Sequence, residues 1–130
     1  MTAEQSDSIS MTETVRISPD GRYILVRSVG PPSLDEMVQT LSTIAEFRRD
    51  RGIDKILVDS RARSGQPSVA DIYHGGVSLA EKLGAGTRIA VLVREHAAGH
   101  TLFANVAVNR GAVVAYFLQE DLALRWLFEK

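Results

Sequence analysis

The chain has 130 residues, no cysteine and a formal net charge of −1 at pH 7. This length suits one domain with a hydrophobic core of its own. The absence of cysteine excludes thiol catalysis and thiolate-bound zinc, and the near-neutral charge argues against a nucleic-acid partner. No apolar run approaches the ~20 residues of a membrane span, so we expect no membrane insertion and a cytoplasmic location.

A polar segment precedes the predicted domain. Residues 1–11 carry too little apolar surface to order themselves and lack the apolar stretch of a secretory signal. We therefore expect a disordered tail followed by one domain over 12–130. A predicted β-hairpin opens the domain, because Thr12–Ile17 and Arg22–Val29 are rich in β-branched residues and the turn-forming segment Ser18–Gly21 separates them.

Two helices carry N-terminal cap signals. Ser33 can cap the first helix, with Glu36 three residues later. Ser68 can cap the second helix, predicted over Val69–Leu83, with Asp71 in the corresponding place. Both patterns are typical of a helix start.

The second helix has a clear apolar face. We predict that this face contains Val69, Ile72, Tyr73, Gly76, Val77, Leu79, Ala80 and Leu83. Two adjacent glycines lie within the helix, and each costs about 1 kcal/mol relative to alanine. Close packing can offset this cost at Gly76, which is on the apolar face, whereas Gly75 lies off that face.

Two short segments predict buried central strands. Ile56–Val58 and Arg88–Val93 are almost entirely apolar, and the intervening residues Asp59–Pro67 predict a polar loop. Three further elements complete the pattern, namely a helix over Leu102–Arg110, a strand over Ala112–Leu118 and a helix over Asp121–Phe128. The alternation predicts a single α/β domain with one mixed, mostly parallel sheet of about five strands and four helices.

Several segments share their order and spacing with a known family. They are Leu57-Val58-Asp59 with Arg61, Ile89–Val93, Phe103-Ala104, Asn109-Arg110-Gly111, Phe117 and Ala123–Leu127. With these segments the chain resembles the STAS-like family of bacterial anti-sigma-factor antagonists, and more closely its uncharacterised STAS/CRAL–TRIO-like branch. The resemblance spans Thr12 to Phe128. It implies a STAS-like fold and a protein-interaction or regulatory role without catalysis.

The family's phosphorylation motif is missing. In the antagonists, a kinase-type partner phosphorylates a serine at the start of the second helix, within an Asp-Ser-Ser/Thr-Gly pattern. This chain has Gln66-Pro67-Ser68-Val69 there. The resemblance therefore offers Ser68 as a phosphorylation candidate by position only.

Polar residues follow both predicted central strands, where ligands of open α/β sheets tend to bind. The candidate residues for binding a partner or an anion are Asp59, Ser60, Arg61, Arg63, Ser68, Arg94 and His96. Arginines beside a capped helix N-terminus could hold an anion or a partner's carboxylate. The alternative is a solvated loop in which Asp59 pairs with Arg61 or Arg63.

Three apolar residues lie outside the predicted core stripes. Phe47, Leu124 and Phe128 either form a homodimer interface or cover the edge of the core. Elsewhere, His96 and His100 have the spacing of a metal pair, but no third ligand or protease motif accompanies them. We expect a polar loop at these histidines, and no metal or cofactor.

Three functions remain open at this point. A non-enzymatic interaction domain with an unidentified protein partner is the first. The second is a small apolar-ligand (lipid-like) binding domain, by analogy with the CRAL–TRIO relatives; it requires a cavity, and the short helices and modest length predict no large one. The third is a hydrolytic or metal-dependent enzyme using Asp59, His96 or His100. No nucleophile, base and orienting group can be assembled, so we expect no catalytic residue.

Overall fold

The computed structural model describes residues 8–9, 13–108 and 111–129. The elements in chain order are β1 Ser8–Ile9, β2 Glu13–Ile17, β3 Ile24–Gly30, α1 Leu34–Arg51, β4 Lys55–Arg63, α2 Val69–Leu83, β5 Arg88–Leu92, α3 Ala98–Val108, β6 Val113–Phe117 and α4 Glu120–Leu127. Thr12 and Arg110, the predicted ends of a strand and a helix, lie outside the described residues. None of the described helices is both long enough and apolar enough to cross a bilayer.

The strands form one six-stranded sheet in the order β1-β2-β3-β4-β5-β6. The first three strands pair antiparallel and the strands from β3 to β6 pair parallel, which confirms the predicted mixed sheet and its opening hairpin. The sixth strand is Ser8–Ile9, which pairs with Val15 and Thr14 of β2. These two residues were expected to belong to a disordered tail; pairing with β2 places them in the sheet. The rest of segment 1–11 lies outside the described residues.

The helices cover the two faces of the sheet unequally. Successive parallel strands are neighbours, so right-handed crossovers place α1, α2 and α3 on the same face. The last helix, α4, contacts β4, β5 and β6 from the opposite face. The central strands are therefore buried on both sides, as their apolar sequences predict. On β4, Ile56 packs under α1–α3 and Leu57 under α4, and both are at most 1% exposed.

Both predicted helix caps are present. The Ser33 hydroxyl accepts the backbone N–H of Glu36 at 3.3 Å, and the Ser68 hydroxyl accepts the N–H of Asp71 at 3.1 Å. Each bond satisfies an amide of the first turn that has no partner within the helix. The caps therefore fix where α1 and α2 begin, at the carboxyl edge of the parallel strands.

Both glycines of α2 pack against neighbouring helices. A Cβ on Gly76 would lie 2.8 Å from Cγ1 of Val106 on α3, and a Cβ on Gly75 would lie 2.9 Å from Sδ of Met37 on α1. The prediction that only Gly76 packs closely was wrong. Because α2 lies between α1 and α3, its buried arc is wider than a single stripe, and the two glycines serve two different contacts.

Candidate functional site

A cavity of about 440 Å³ lies between the sheet and the layer of α1, α2 and α3. Its volume falls within the roughly 300–1,000 Å³ typical of small-molecule sites. The prediction that the short helices leave no large cavity was wrong. The residues on the wall explain the space, because small side chains such as Ser28, Ser60 and Gly99 occupy positions where larger ones would fill it.

The floor of the cavity is apolar. Val26, Val58 and Val91 are register neighbours on three adjacent strands and point to the same face of the sheet. Ile44 of α1 and Leu79 of α2 close the floor from the helical side. All five side chains belong to or pack against the main core cluster, so the floor of the cavity is part of the core, while its other end opens to solvent.

Polar groups lie above this floor, toward the carboxyl edge of the parallel strands. Ser28 stands two residues beyond Val26 on β3, and Ser60 stands two beyond Val58 on β4, so both face the cavity. Glu13 lies directly opposite Ser28 in the register between β2 and β3. Open α/β sheets bind their ligands at this edge. On both strands the valine lies at the floor of the cavity, and the serine two residues later lies nearer its mouth.

A buried ion pair crosses the wall of the cavity. Nη2 of Arg63 donates to Oε2 of Glu13 at 2.6 Å, and the two side chains are 19% and 6% exposed. Nη1 of Arg63 donates to the carbonyl oxygens of Val29 at 3.2 Å and Pro31 at 3.0 Å. The guanidinium therefore joins β2, β4 and the loop before α1. Sequence reasoning missed Glu13 because its partner is 50 positions away.

Asp59 and Arg61 form a separate pair on the other face of the sheet. Nε and Nη2 of Arg61 donate to the two carboxylate oxygens of Asp59 at 3.0 and 2.9 Å. These hydrogen bonds are the main reason why the pKa of Asp59 lies below its usual value. The predicted loop over Asp59–Pro67 was wrong for its first half, since β4 continues to Arg63. Ser60 lies in the cavity wall, and Asp59 and Arg61 lie toward α4. A register irregularity between β3 and β4 follows Asp59, so that Arg63 is again on the cavity side and Ala62 is outside the wall.

Of the side chains that follow β5, one candidate lines the cavity and another does not. Arg94 lines the cavity and donates from Nη2 to the backbone oxygen of Arg63 at 2.8 Å. His96 is exposed and is not part of the wall. The seven binding candidates from the sequence therefore do not form one cluster. Of the strand-end residues, Ser60, Arg63 and Arg94 line the cavity.

His100 lines the cavity, whereas the sequence offered it as a metal ligand paired with His96 or as a residue of an enzyme. Its ring stacks on Tyr116 with centroids 4.2 Å apart, and its Nδ1 accepts the N–H of Ala97 at 3.1 Å. Burial lowers the pKa of His100, helped by the charge of His96, and burial strongly raises the pKa of Tyr116. Both rings are therefore neutral at neutral pH. Within the described ranges, no group of three or more histidine or acidic side chains is arranged to hold a metal.

The arrangement of strands and helices is also found in a solved structure. An uncharacterised protein from the DUF3478 family with a SpoIIAA-like fold, from Shewanella loihica PV-4, is similar to this chain over 92% of its length and over 98% of the other chain. The TM-score is 0.53 and the sequence identity is 19%. This chain has a SpoIIAA-like fold. The STAS-like fold implied by the sequence resemblance is thereby confirmed.

The similarity concerns the fold alone, because sequence identity is low. No family model matches the sequence of this SpoIIAA-like chain, and no curated protein matches it. The role of the chain must therefore be argued from its own cavity and surfaces.

The start of α2 carries an exposed apolar pair in this SpoIIAA-like domain. Val69 is 71% exposed and Tyr73, one turn later, is 44% exposed. Both were predicted to face the core, and that prediction was wrong. The buried arc of α2 is centred on Ile72, Gly75 and Gly76, which leaves Val69 and Tyr73 beside the exposed cap Ser68.

The three dimer candidates pack against the core. Phe47 lies against the cluster under α1–α3, and Leu124 and Phe128 lie against the cluster under α4. Phe128 also makes an edge-to-face contact with Tyr23, with centroids 6.2 Å apart, and the guanidinium of Arg22 lies 4.0 Å above its ring. Their position matches the alternative of covering the core edge, and a homodimer stays a prediction.

Proposed function

We propose that this SpoIIAA-like chain is a non-enzymatic binding domain whose cavity holds a small, mainly apolar molecule. The cavity of about 440 Å³ with its floor of Val26, Val58 and Val91 is the observation that carries the proposal. Burying a methylene group contributes about 0.8 kcal/mol, so a chain of about eight methylenes gains about 6 kcal/mol before the costs of association. This is the second of the functions left open by the sequence.

The hydrogen-bond partners of the titratable residues in the wall support ligand binding rather than catalysis. The carboxylate of Glu13 is bonded to Arg63, and Nδ1 of His100 is occupied by the amide of Ala97. Across residues 13–108 and 111–129, no hydrogen bond joins His100 to a serine hydroxyl that could act as a nucleophile. A serine activated by a neighbouring base needs such a contact.

Native mass spectrometry of freshly purified protein tests the proposal. We expect the wild-type protein to retain a bound small molecule, or to bind added octanol with one-to-one stoichiometry. Ser60→Phe places a large ring inside the wall and should abolish the complex. Ala62→Phe is the matched control, because Ala62 is two residues away on the same strand, exposed and outside the wall.

The thermal midpoints of both variants show whether they fold. Loss of the complex in folded Ser60→Phe, with retention in Ala62→Phe, supports a ligand inside the cavity. The proposal is wrong if the wild-type protein carries no ligand and binds no octanol, or if Ser60→Phe binds as well as the wild type.

A regulatory contact with a protein partner is the second candidate. The exposed pair Val69 and Tyr73 favours it, because large apolar side chains one turn apart beside a helix start form a surface on which a partner helix or loop can pack. Ser68 lies next to this pair. The family resemblance points to the same helix start, although the phosphorylation pattern of the antagonists is absent.

A comparison of two double variants tests this second candidate. Val69→Ser with Tyr73→Ser should abolish capture of a partner that the wild-type protein crosslinks in its native extract. Val113→Ser with Leu122→Ser removes two apolar side chains elsewhere on the surface, each 41% exposed, and should retain the partner. Equal loss in both double variants, or retention in the first, contradicts a specific contact at the start of α2.

A further inference from the structure

We infer that the ligand of the cavity is an uncharged amphiphile, an apolar chain or ring system that ends in one hydroxyl, carbonyl or amide group. This inference rests on the proposed function and specifies the ligand class. It follows from how the charged and neutral polar groups are distributed between the inside of the cavity and its mouth.

The charges inside the cavity compensate each other. Glu13 and Arg63 face each other at 2.6 Å, and both are largely buried. The guanidinium of Arg63 also donates to three backbone carbonyls, those of Val29, Gly30 and Pro31. A ligand carboxylate that replaced Glu13 at Arg63 would leave the carboxylate of Glu13 buried without its partner. Burying a charge without a partner costs several kcal/mol, so this exchange is unfavourable.

The charges at the mouth nearly cancel. Its ionisable side chains are Asp71, Arg94 and Glu95, which carry two negative charges and one positive charge. The N-terminal ends of α1 and α2 also begin at this edge, and each contributes roughly half a positive charge. A ligand carboxylate or ammonium therefore meets like and opposite charges in about equal amounts and gains no net electrostatic advantage over its hydration in water.

Neutral hydrogen-bonding groups are plentiful on the wall. Hydroxyls come from Ser28, Thr40 and Ser60, and neutral rings come from His100 and Tyr116. A hydroxyl both donates and accepts hydrogen bonds, so these groups can pair with an alcohol, a ketone or an amide. Ser28 and Ser60 lie two residues beyond the valine floor, and Tyr116 is the register neighbour of Val91 in the floor itself. The wall is therefore suited to an uncharged polar end attached to an apolar body.

The size of the cavity limits the body of the ligand. At about 30 Å³ for each water-sized group, 440 Å³ holds about fifteen such groups. Octanol and decanol fit this limit, and a two-chain phospholipid does not. The ligand class is thus a single-chain or single-ring amphiphile rather than a membrane lipid.

Three probes with alkyl chains of the same length and different charges on the polar end separate the effect of charge from that of apolar burial. Octanol, octanoate and octylammonium are titrated into the purified protein at neutral pH and physiological ionic strength, and binding is followed by calorimetry and methyl NMR shifts. We expect octanol to bind at least about tenfold more tightly than either ion. The methyl shifts should cluster at the valine floor. Ser60→Phe should abolish them, and Ala62→Phe should preserve them.

The possible outcomes distinguish this inference from the function on which it depends. Equal or tighter binding of octanoate or octylammonium at the valine floor overturns the uncharged ligand and leaves the binding function intact. Failure of all three probes to bind to protein that native mass spectrometry shows to be free of ligand overturns both. Binding of octanol that Ser60→Phe does not affect places the ligand outside the cavity and also overturns both.

Discussion

Oε2 of Glu13 and Nη2 of Arg63 lie 2.6 Å apart, although the residues are 50 positions apart in the chain. The bond reaches from β2 to β4 past the intervening β3. It connects the antiparallel half of the sheet to the parallel half at the edge where the cavity opens. The pair therefore holds β2 and β4 in place relative to each other and also forms part of the cavity wall.

Removing one partner of this pair should be costly. We expect Glu13→Gln and Arg63→Met each to lower the free energy of unfolding by about 3 kcal/mol, because each leaves a buried group with an unbalanced charge. Urea denaturation measures the loss. The double variant should lose less than the sum of the two single losses, with a coupling energy of at least about 1 kcal/mol.

Arg61→Met provides the matched control. Arg61 also bonds a carboxylate, that of Asp59, but its side chain is 42% exposed. Exposed pairs contribute about 1 kcal/mol or less. If Glu13→Gln costs no more than Arg61→Met, the buried pair does not stabilise the fold.

Local sequence signals were sufficient to predict the order of the helices and strands. The caps at Ser33 and Ser68 and the apolar runs at Ile56–Val58 and Arg88–Val93 act within a few residues, so they can be recognised without tertiary context. The end of β4 could not be predicted in this way. Ala62 and Arg63 lie in a stretch whose composition predicts a polar loop, and they are strand because Val29 and Gly30 of β3 pair with them.

The cavity was beyond sequence reasoning for a different reason. Its volume depends on how far α1, α2 and α3 stand from the sheet, and no local pattern encodes that distance. Ser28 and Ser60 look like ordinary polar positions in the sequence, and their alternation with buried valines becomes meaningful only once both strands are placed. Strand alternation within β4 separates Ser60 from Asp59 and Arg61, but no sequence signal marks the register irregularity that brings Arg63 back to the cavity side.

The adjacent glycines of α2 should respond differently to the same substitution. Gly76→Ala should lower the free energy of unfolding by about 1–3 kcal/mol, because the new methyl group would meet Val106 at 2.8 Å and the backbone oxygen of Phe103 at 3.3 Å. Gly75→Ala meets only the flexible end of Met37 at less than 3 Å. Its cost should be offset by the helix propensity of alanine, about 1 kcal/mol.

Chemical denaturation of both variants measures this difference, and each serves as the control for the other. Equal destabilisation would mean that the contact with α3 is no tighter than the contact with α1. If Gly76→Ala is more stable than the wild type, α2 and α3 can move apart without a loss of folding stability.

The hydroxyl of Ser68 has a structural role that can be measured apart from any modification. Ser68→Ala should destabilise the domain by about 1 kcal/mol, because the N–H of Asp71 loses its acceptor. Ser68→Asp should retain most of the stability, since a carboxylate also caps a helix N-terminus. Thermal melting of both variants tests this. Ser64→Ala, at an exposed position before the helix, is the control and should have no effect.

Acidification should weaken the domain through His100. Burial, aided by the charge of His96, lowers the pKa of this imidazole below its ordinary value of 6.5 in the folded state. The unfolded chain therefore takes up the proton first as pH falls. The stabilising contribution is complete above about pH 6.5 and is lost progressively below it. Protonation at Nδ1 also removes the acceptor for the N–H of Ala97 at the start of α3.

His100→Gln isolates this contribution. We expect the thermal midpoint of the wild-type protein to fall more between about pH 7.5 and about pH 5.5 than that of His100→Gln, since glutamine does not titrate. His74→Gln replaces an exposed histidine of α2 and serves as the matched control. Because His100 stacks on Tyr116 in the cavity wall, octanol binding should weaken over the same pH range in the wild type alone. Parallel pH profiles for the wild type and His100→Gln would show that the acid sensitivity lies in other groups.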